Sequence, residues 1–142
     1  MKRSASVEWQ GGLKDGKGLI STESGALRKT AYGLATRFAG EAGTNPEELI
    51  AAAHASCFTM ALSGRLAAVH LTAEKLAVKA TVSLEELNEV WSVTAIHLDV
   101  TATMPGADAA KFLTAAAEAK AGCPISRLLG AAAKITMEAR LA

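Results

Sequence analysis

Ala5, Val7 and Trp9 alternate with Ser4, Ser6, Glu8 and Gln10, the two-residue period of a strand with one apolar face. The glycine-bearing stretch 11–18, with its Asp15-Gly16 pair, can reverse the chain into residues 19–22, which predicts an N-terminal hairpin. Residues 32–38 are short, partly apolar and bounded by Gly40 and Gly43, and read as a third strand or an ordered loop. The period then changes. Thr44-Asn45-Pro46-Glu47-Glu48 offers a cap, a proline suited to the first helical position and two acids beside the positive helix end. Residues 49–69 are Ala-rich and apolar on nearly every face, so this helix needs cover all round. One small sheet cannot supply that, and a second subunit is expected to cover part of it.

Leu76, Val78, Ala80, Val82 and Leu84 resume the strand period, and after a polar turn region at 85–89 residues 90–102 continue it, giving a second hairpin. Pro105-Gly106 breaks the chain ahead of a helix over 107–121 with Phe112, Leu113 and Ala116 on one side. Cys123-Pro124 opens a shorter helix ending near Gly130, and the chain closes on a strand carrying Ile135, Met137, Ala139 and Leu141. Hairpins without parallel crossover units predict an α+β fold with antiparallel sheet. At 142 residues, one domain spanning 1–142 is expected, without repeat or linker.

A formal net charge of +1 over a half-hydrophobic chain gives no pull toward nucleic acid or an anionic membrane, so the partner is a small molecule or another copy of the chain. Glu8 falls where a secretory signal would need apolar residues, and no later stretch reads as a membrane span, which points to the cytoplasm. In that reducing compartment two cysteines serve redox chemistry or stay inert more often than they form a permanent staple.

Cys57 lies in Ala53-His54-Ala55-Ser56-Cys57-Phe58-Thr59-Met60. Apolar burial raises a thiol's pKa, so a reactive Cys57 needs a cation nearby. His54, about one turn away, and Arg37, in an otherwise uncharged stretch, are the candidates; the bland readings are a helix-edge polar residue and a solvated strand residue. Cys123, ahead of Pro124, falls at a helix cap where amides stabilise a thiolate, and local physics alone favours it as the attacker. If Asn45 caps, Glu48 can serve the cap and Glu47 is free for another task. Along a straight helix Glu47 and Cys57 would stand roughly 15 Å apart, so either the helix breaks near residues 52–55 or an arginine bridges them. The three histidines lack zinc-site spacing, the cysteines lack CxxC spacing, and neither a phosphate-binding glycine loop nor a Gly-x-Ser-x-Gly elbow is present. No metal or cofactor is expected.

The run Gly43-Thr44-Asn45-Pro46-Glu47-Glu48-Leu49-Ile50-Ala51-Ala52-Ala53-His54-Ala55-Ser56-Cys57-Phe58-Thr59-Met60-Ala61-Leu62, with Ala119-Lys120-Ala121-Gly122-Cys123-Pro124-Ile125-Ser126, closely resembles the OsmC/Ohr family of bacterial hydroperoxide reductases. Residues 18–25, with Tyr32-Gly33 and Arg37-Phe38, look like its OsmC branch. The resemblance covers essentially the whole chain. It implies an intertwined homodimer with mixed sheets wrapped around two central helices, Cys57 attacking an organic hydroperoxide, Cys123 resolving the product as a disulfide, and Arg37 and Glu47 holding the thiolate. An apolar wall including Phe58 and Met60 would favour alkyl over strongly hydrated peroxides. An external dithiol, on this resemblance a lipoyl protein, would regenerate the enzyme. Two rivals come from other classes: a redox sensor using the same cysteines with slow turnover, and a non-catalytic dimer binding apolar ligands in its cleft.

Overall fold

A computed structural model describes all 142 residues, which divide into two compact units, 1–49 and 50–142. In the first unit, β1 (Ala5–Gln10), β2 (Lys17–Thr22) and β3 (Thr30–Tyr32) form an antiparallel sheet in that order. Gly18 is required where β2 passes β3, because a Cβ there would lie 1.9 Å from the Tyr32 ring. The segment after β3, expected as a strand or loop, turns instead into a short helix, α1 (Leu34–Phe38). Thr36 holds it by accepting the Gly33 amide at 2.9 Å and donating its hydroxyl to the Thr44 carbonyl at 2.8 Å. The Thr44 amide bonds the Ala31 carbonyl at 2.9 Å, an approach that leaves Gly43, at φ 148°, no room for a side chain.

The long helix α2 (Pro46–Ala68) begins in the first unit and runs unbroken through the second. Asn45 caps it, its side-chain oxygen accepting the Glu48 amide at 2.8 Å. In the second unit β4 (Lys75–Leu87) pairs antiparallel with β5 (Val90–Thr103). The strands extend further than the polar residues 85–89 suggested, because Asn88 and Glu89 alone make the turn, both with positive φ as a two-residue type I′ connection requires. Then α3 (Ala109–Gly122), capped by Asp108, and α4 (Pro124–Leu129) lead to β6 (Lys134–Leu141).

β6 pairs with β5 in parallel, from Ala95↔Lys134 to Ala102↔Leu141, which corrects the antiparallel sheet read from the hairpins and agrees with the mixed sheets that the resemblance implied. The physical reason is the connection: the two helices between β5 and β6 are long enough to carry the chain back to the end where β5 began, as a parallel neighbour demands. Alternation along β5 buries Ile96, Leu98, Val100 and Ala102 completely. Leu98, Val100 and Ala102 pack with Phe58, Leu62 and Leu66 of α2 and with Phe112, Ala115, Ala116 and Ala119 of α3.

On α2 the buried residues are His54, Phe58, Leu62 and Leu66, one stripe at four-residue spacing. Cys57 and Ala61 beside it pack partly on the core, while Met60 is 71% exposed. By length and composition α2 is apolar enough to cross a membrane, a test that core helices of globular proteins pass as well.

Candidate active site

Arg37 and Glu47, from α1 and the first turn of α2, meet within the first unit. Arg37 Nε donates to Glu47 Oε2 at 3.0 Å and its terminal Nη2 to Oε1 at 2.5 Å, a two-pronged pair. Arg37 is therefore a paired helical residue and not a solvated strand residue. Its guanidinium carbon also stands 5.3 Å from the centre of the Phe38 ring. The arrangement follows from the loop between the helices: Thr36, Thr44 and Gly43 lash α1 to the start of α2, and Asn45 starts α2 so that position 47 falls in its first turn.

The Arg37 hydrogen bond holds the Glu47 carboxyl below the usual carboxylate range, against the opposing effect of burial. A carboxyl with a depressed folded pKa adds stability that is full above its unfolded value, about 4.3, and gone once the pH has fallen through the lower folded value. Unfolding free energy measured from pH 7 downward should lose this contribution across that acid window, and Glu47→Gln should lack that part of the loss. Coincident pH dependence for the two proteins would mean the pair contributes nothing to stability.

The two cysteines meet in the second unit. Cys57 is partly buried on α2; Cys123 is fully buried between α3 and α4, capping the end of one and the start of the other. Pro124 accounts for that double duty, since it biases the residue before it toward extended backbone, and Cys123 has φ −62° and ψ 123°. Both thiols are free, with sulfurs 3.1 Å apart, within hydrogen-bond reach of each other.

Their surroundings are unequal. Burial pushes the Cys57 thiol above its ordinary pKa, and neighbouring Cys123 adds to the rise, while the Ile125 amide opposes it. Burial acts on Cys123 too, but the Ser126 amide, the Cys57 thiol, the Ser126 hydroxyl and the Ile125 amide together outweigh it and leave Cys123 below its ordinary value. Left to these groups, the first negative charge of the pair rests on Cys123. An attacking Cys57 needs a further cation.

That cation is not His54. The ring is completely buried, with Nε2 2.7 Å from Ser126 Oγ, and burial holds its pKa down so that it stays neutral at pH 7. Expected at a helix edge, His54 instead occupies the innermost stripe of α2. Phe58 likewise faces the core and lines no open wall, while Met60 is exposed. Ser126 was given no role by the sequence, although its place three residues after a capping cysteine is a readable signal: its amide bonds Cys123 Sγ at 3.5 Å.

A family described as OsmC-like protein matches residues 39–138. The peroxiredoxin OsmC of Escherichia coli (strain K12) is 45% identical over 139 residues, covering 98% of this chain and 96% of that protein, and the Shigella flexneri protein of the same name matches equally. The crystal structure of the organic hydroperoxide resistance protein OhrB of Bacillus subtilis superposes with a TM-score of 0.76 at 25% identity, covering 96% of this chain and 98% of that one. An OsmC-like protein from Mycoplasma pneumoniae reaches 0.78 at 15% identity over 99% and 97%, a likeness of fold alone.

Proposed function

This chain belongs to the OsmC-like protein family, and from that premise we infer that it is a thiol peroxidase reducing organic hydroperoxides to alcohols. The observation that carries the reading is the pair of free sulfurs 3.1 Å apart on α2 and at the α3–α4 junction. In the proposed cycle Cys57 thiolate attacks the peroxide O–O bond, taking one oxygen as sulfenic acid while the alkoxide leaves and is protonated to alcohol. Cys123 then attacks the Cys57 sulfur, the S–O bond breaks, water departs and a disulfide forms. Arg37, oriented by Glu47, supplies the positive charge that Cys57 lacks on its own helix and offsets charge on the departing alkoxide.

A thiol reductant completes the cycle, and we assign that part to a dithiol of the lipoyl class. The cycle works in one domain spanning 1–142, in a cytoplasm that keeps both thiols reduced. The working form is a homodimer. Its support is the exposed apolar surface, where Met60 on α2 is 71% exposed and Val7 on β1 52%. Sedimentation at twice the chain mass supports this assembly; the mass of one chain overturns it.

Steady-state assays against cumene hydroperoxide and hydrogen peroxide, each with dihydrolipoamide or a thioredoxin-type reductant, test the activity. The expected result is turnover sustained by dihydrolipoamide, with kcat/KM for the organic substrate at least about tenfold the higher. Stoichiometric oxidation without turnover under either reductant would transfer the cysteines to a sensor.

A further inference from the structure

His54 has no part in the cycle just described, yet it is fully buried in the second unit. Of the four residues in the buried stripe of α2 it alone is polar, and it is 0% exposed. Its Nδ1 has no hydrogen-bond partner. A leucine would fill this stripe without the cost of a buried unpaired nitrogen, so packing alone does not account for histidine here. What the ring does make is one short bond, 2.7 Å from Nε2 to Ser126 Oγ.

The tautomer can be assigned from the unpaired atom. A buried N–H with no acceptor is costlier and rarer than a bare acceptor, so the proton belongs on Nε2, which then donates to Ser126 Oγ. Ser126 accepts that bond and keeps its own hydroxyl proton to give. Its amide already reaches Cys123 Sγ at 3.5 Å, and its amide and hydroxyl both act to favour the Cys123 anion. The line of contacts therefore runs from a neutral buried ring to the Ser126 hydroxyl, and from the Ser126 amide to one sulfur of the pair, and that sulfur is Cys123.

We propose that His54 and Ser126 are positioning residues for the second step: the His54–Ser126 bond holds Ser126 against Cys123 and prepares Cys123 as the thiolate that closes the Cys57 sulfenic acid. In that step the Cys123 electron pair forms the S–S bond, the Cys57 S–O bond breaks, and the departing hydroxide takes up the proton that Cys123 gave up, leaving as water. The pair acts through Cys123 and touches no substrate. During reduction by an external dithiol, the same contacts ease the departure of Cys123 as a leaving thiolate.

The inference rests on the peroxidase reading, and one rapid-mixing experiment separates the two. Reduced protein is mixed with one equivalent of cumene hydroperoxide; peroxide loss, sulfenic acid trapped by a 1,3-dione probe, and disulfide are followed separately. Ser126→Ala removes the bond to His54 that holds Ser126 against Cys123 and should slow disulfide closure about tenfold or more, while peroxide loss slows less than about threefold. Sulfenic acid should then accumulate. Ser126→Thr, which restores the hydroxyl, should recover closure, and His54→Gln, which can present an N–H near the position of Nε2, should close faster than His54→Leu. Closure unchanged in Ser126→Ala, both steps slowed equally, or equal closure in the two His54 variants would overturn the inference. Absence of peroxide loss in the unaltered protein would instead overturn the peroxidase reading.

Discussion

Replacing Cys57 with serine should abolish steady-state consumption of tert-butyl hydroperoxide, a loss on the order of 10⁴-fold or more. Cys123→Ser should permit a single round that leaves a trappable sulfenic acid on Cys57. The asymmetry follows from the order of bond changes. A hydroxyl at 57 is scarcely ionised at neutral pH and cannot take oxygen from the peroxide, so the first step stops. A hydroxyl at 123 spares that step and removes only the partner that lies 3.1 Å away. The contrast also decides a conflict within the molecule, since the local groups favour the anion on Cys123, with its Ser126 and Ile125 amides, over Cys57. If Cys123 were the attacker, the behaviour of the two variants would be exchanged. Mass spectrometry after trapping reads the outcome directly, and undiminished turnover in Cys57→Ser would remove both assignments.

The elements set by short-range rules were legible in the sequence. Asn45-Pro46 fixes the start of α2, Pro124 fixes Cys123 at a helix cap, and the period of two along residues 90–102 places Leu98 and Val100 on the buried face of β5. Features set by long-range packing were not. The parallel pairing of β6 depends on where α3 and α4 set the chain down, which no local pattern encodes. The burial of His54 was hidden for a related reason: α2 is apolar on every face, so periodicity could not say which stripe would turn inward. The helical turn of α1 was hidden because Arg37, in an uncharged stretch, finds its carboxylate ten residues on in sequence, at 3.0 Å in space. The Arg37–Glu47 and Cys57–Cys123 pairs join residues that the sequence offers as candidates, whereas the His54–Ser126 bond spans 72 residues and no local pattern encodes it.

Arg37→Ala should lower the rate constant for reaction of Cys57 with organic hydroperoxide by about 10²- to 10³-fold, the range for removing one preorganised charge-stabilising donor from a reacting centre. Burial and Cys123 both drive the Cys57 pKa upward, so without a cation little thiolate exists on that sulfur at pH 7. Loss of the guanidinium should raise the pKa further, and the alkylation rate of Cys57 in a Cys123→Ser background should reach its plateau only at higher pH. Arg37→Lys should recover part of the rate: it keeps a positive charge but not the fork that grips both oxygens of Glu47. Glu47→Gln keeps the arginine and loosens its aim, so its effect should be smaller than that of Arg37→Ala and in the same direction. An alkylation profile against pH that does not change between the Cys123→Ser protein and the same protein carrying Arg37→Ala would separate the Arg37–Glu47 pair from Cys57. The pair would then keep a purely structural task, tying α1 to the start of α2.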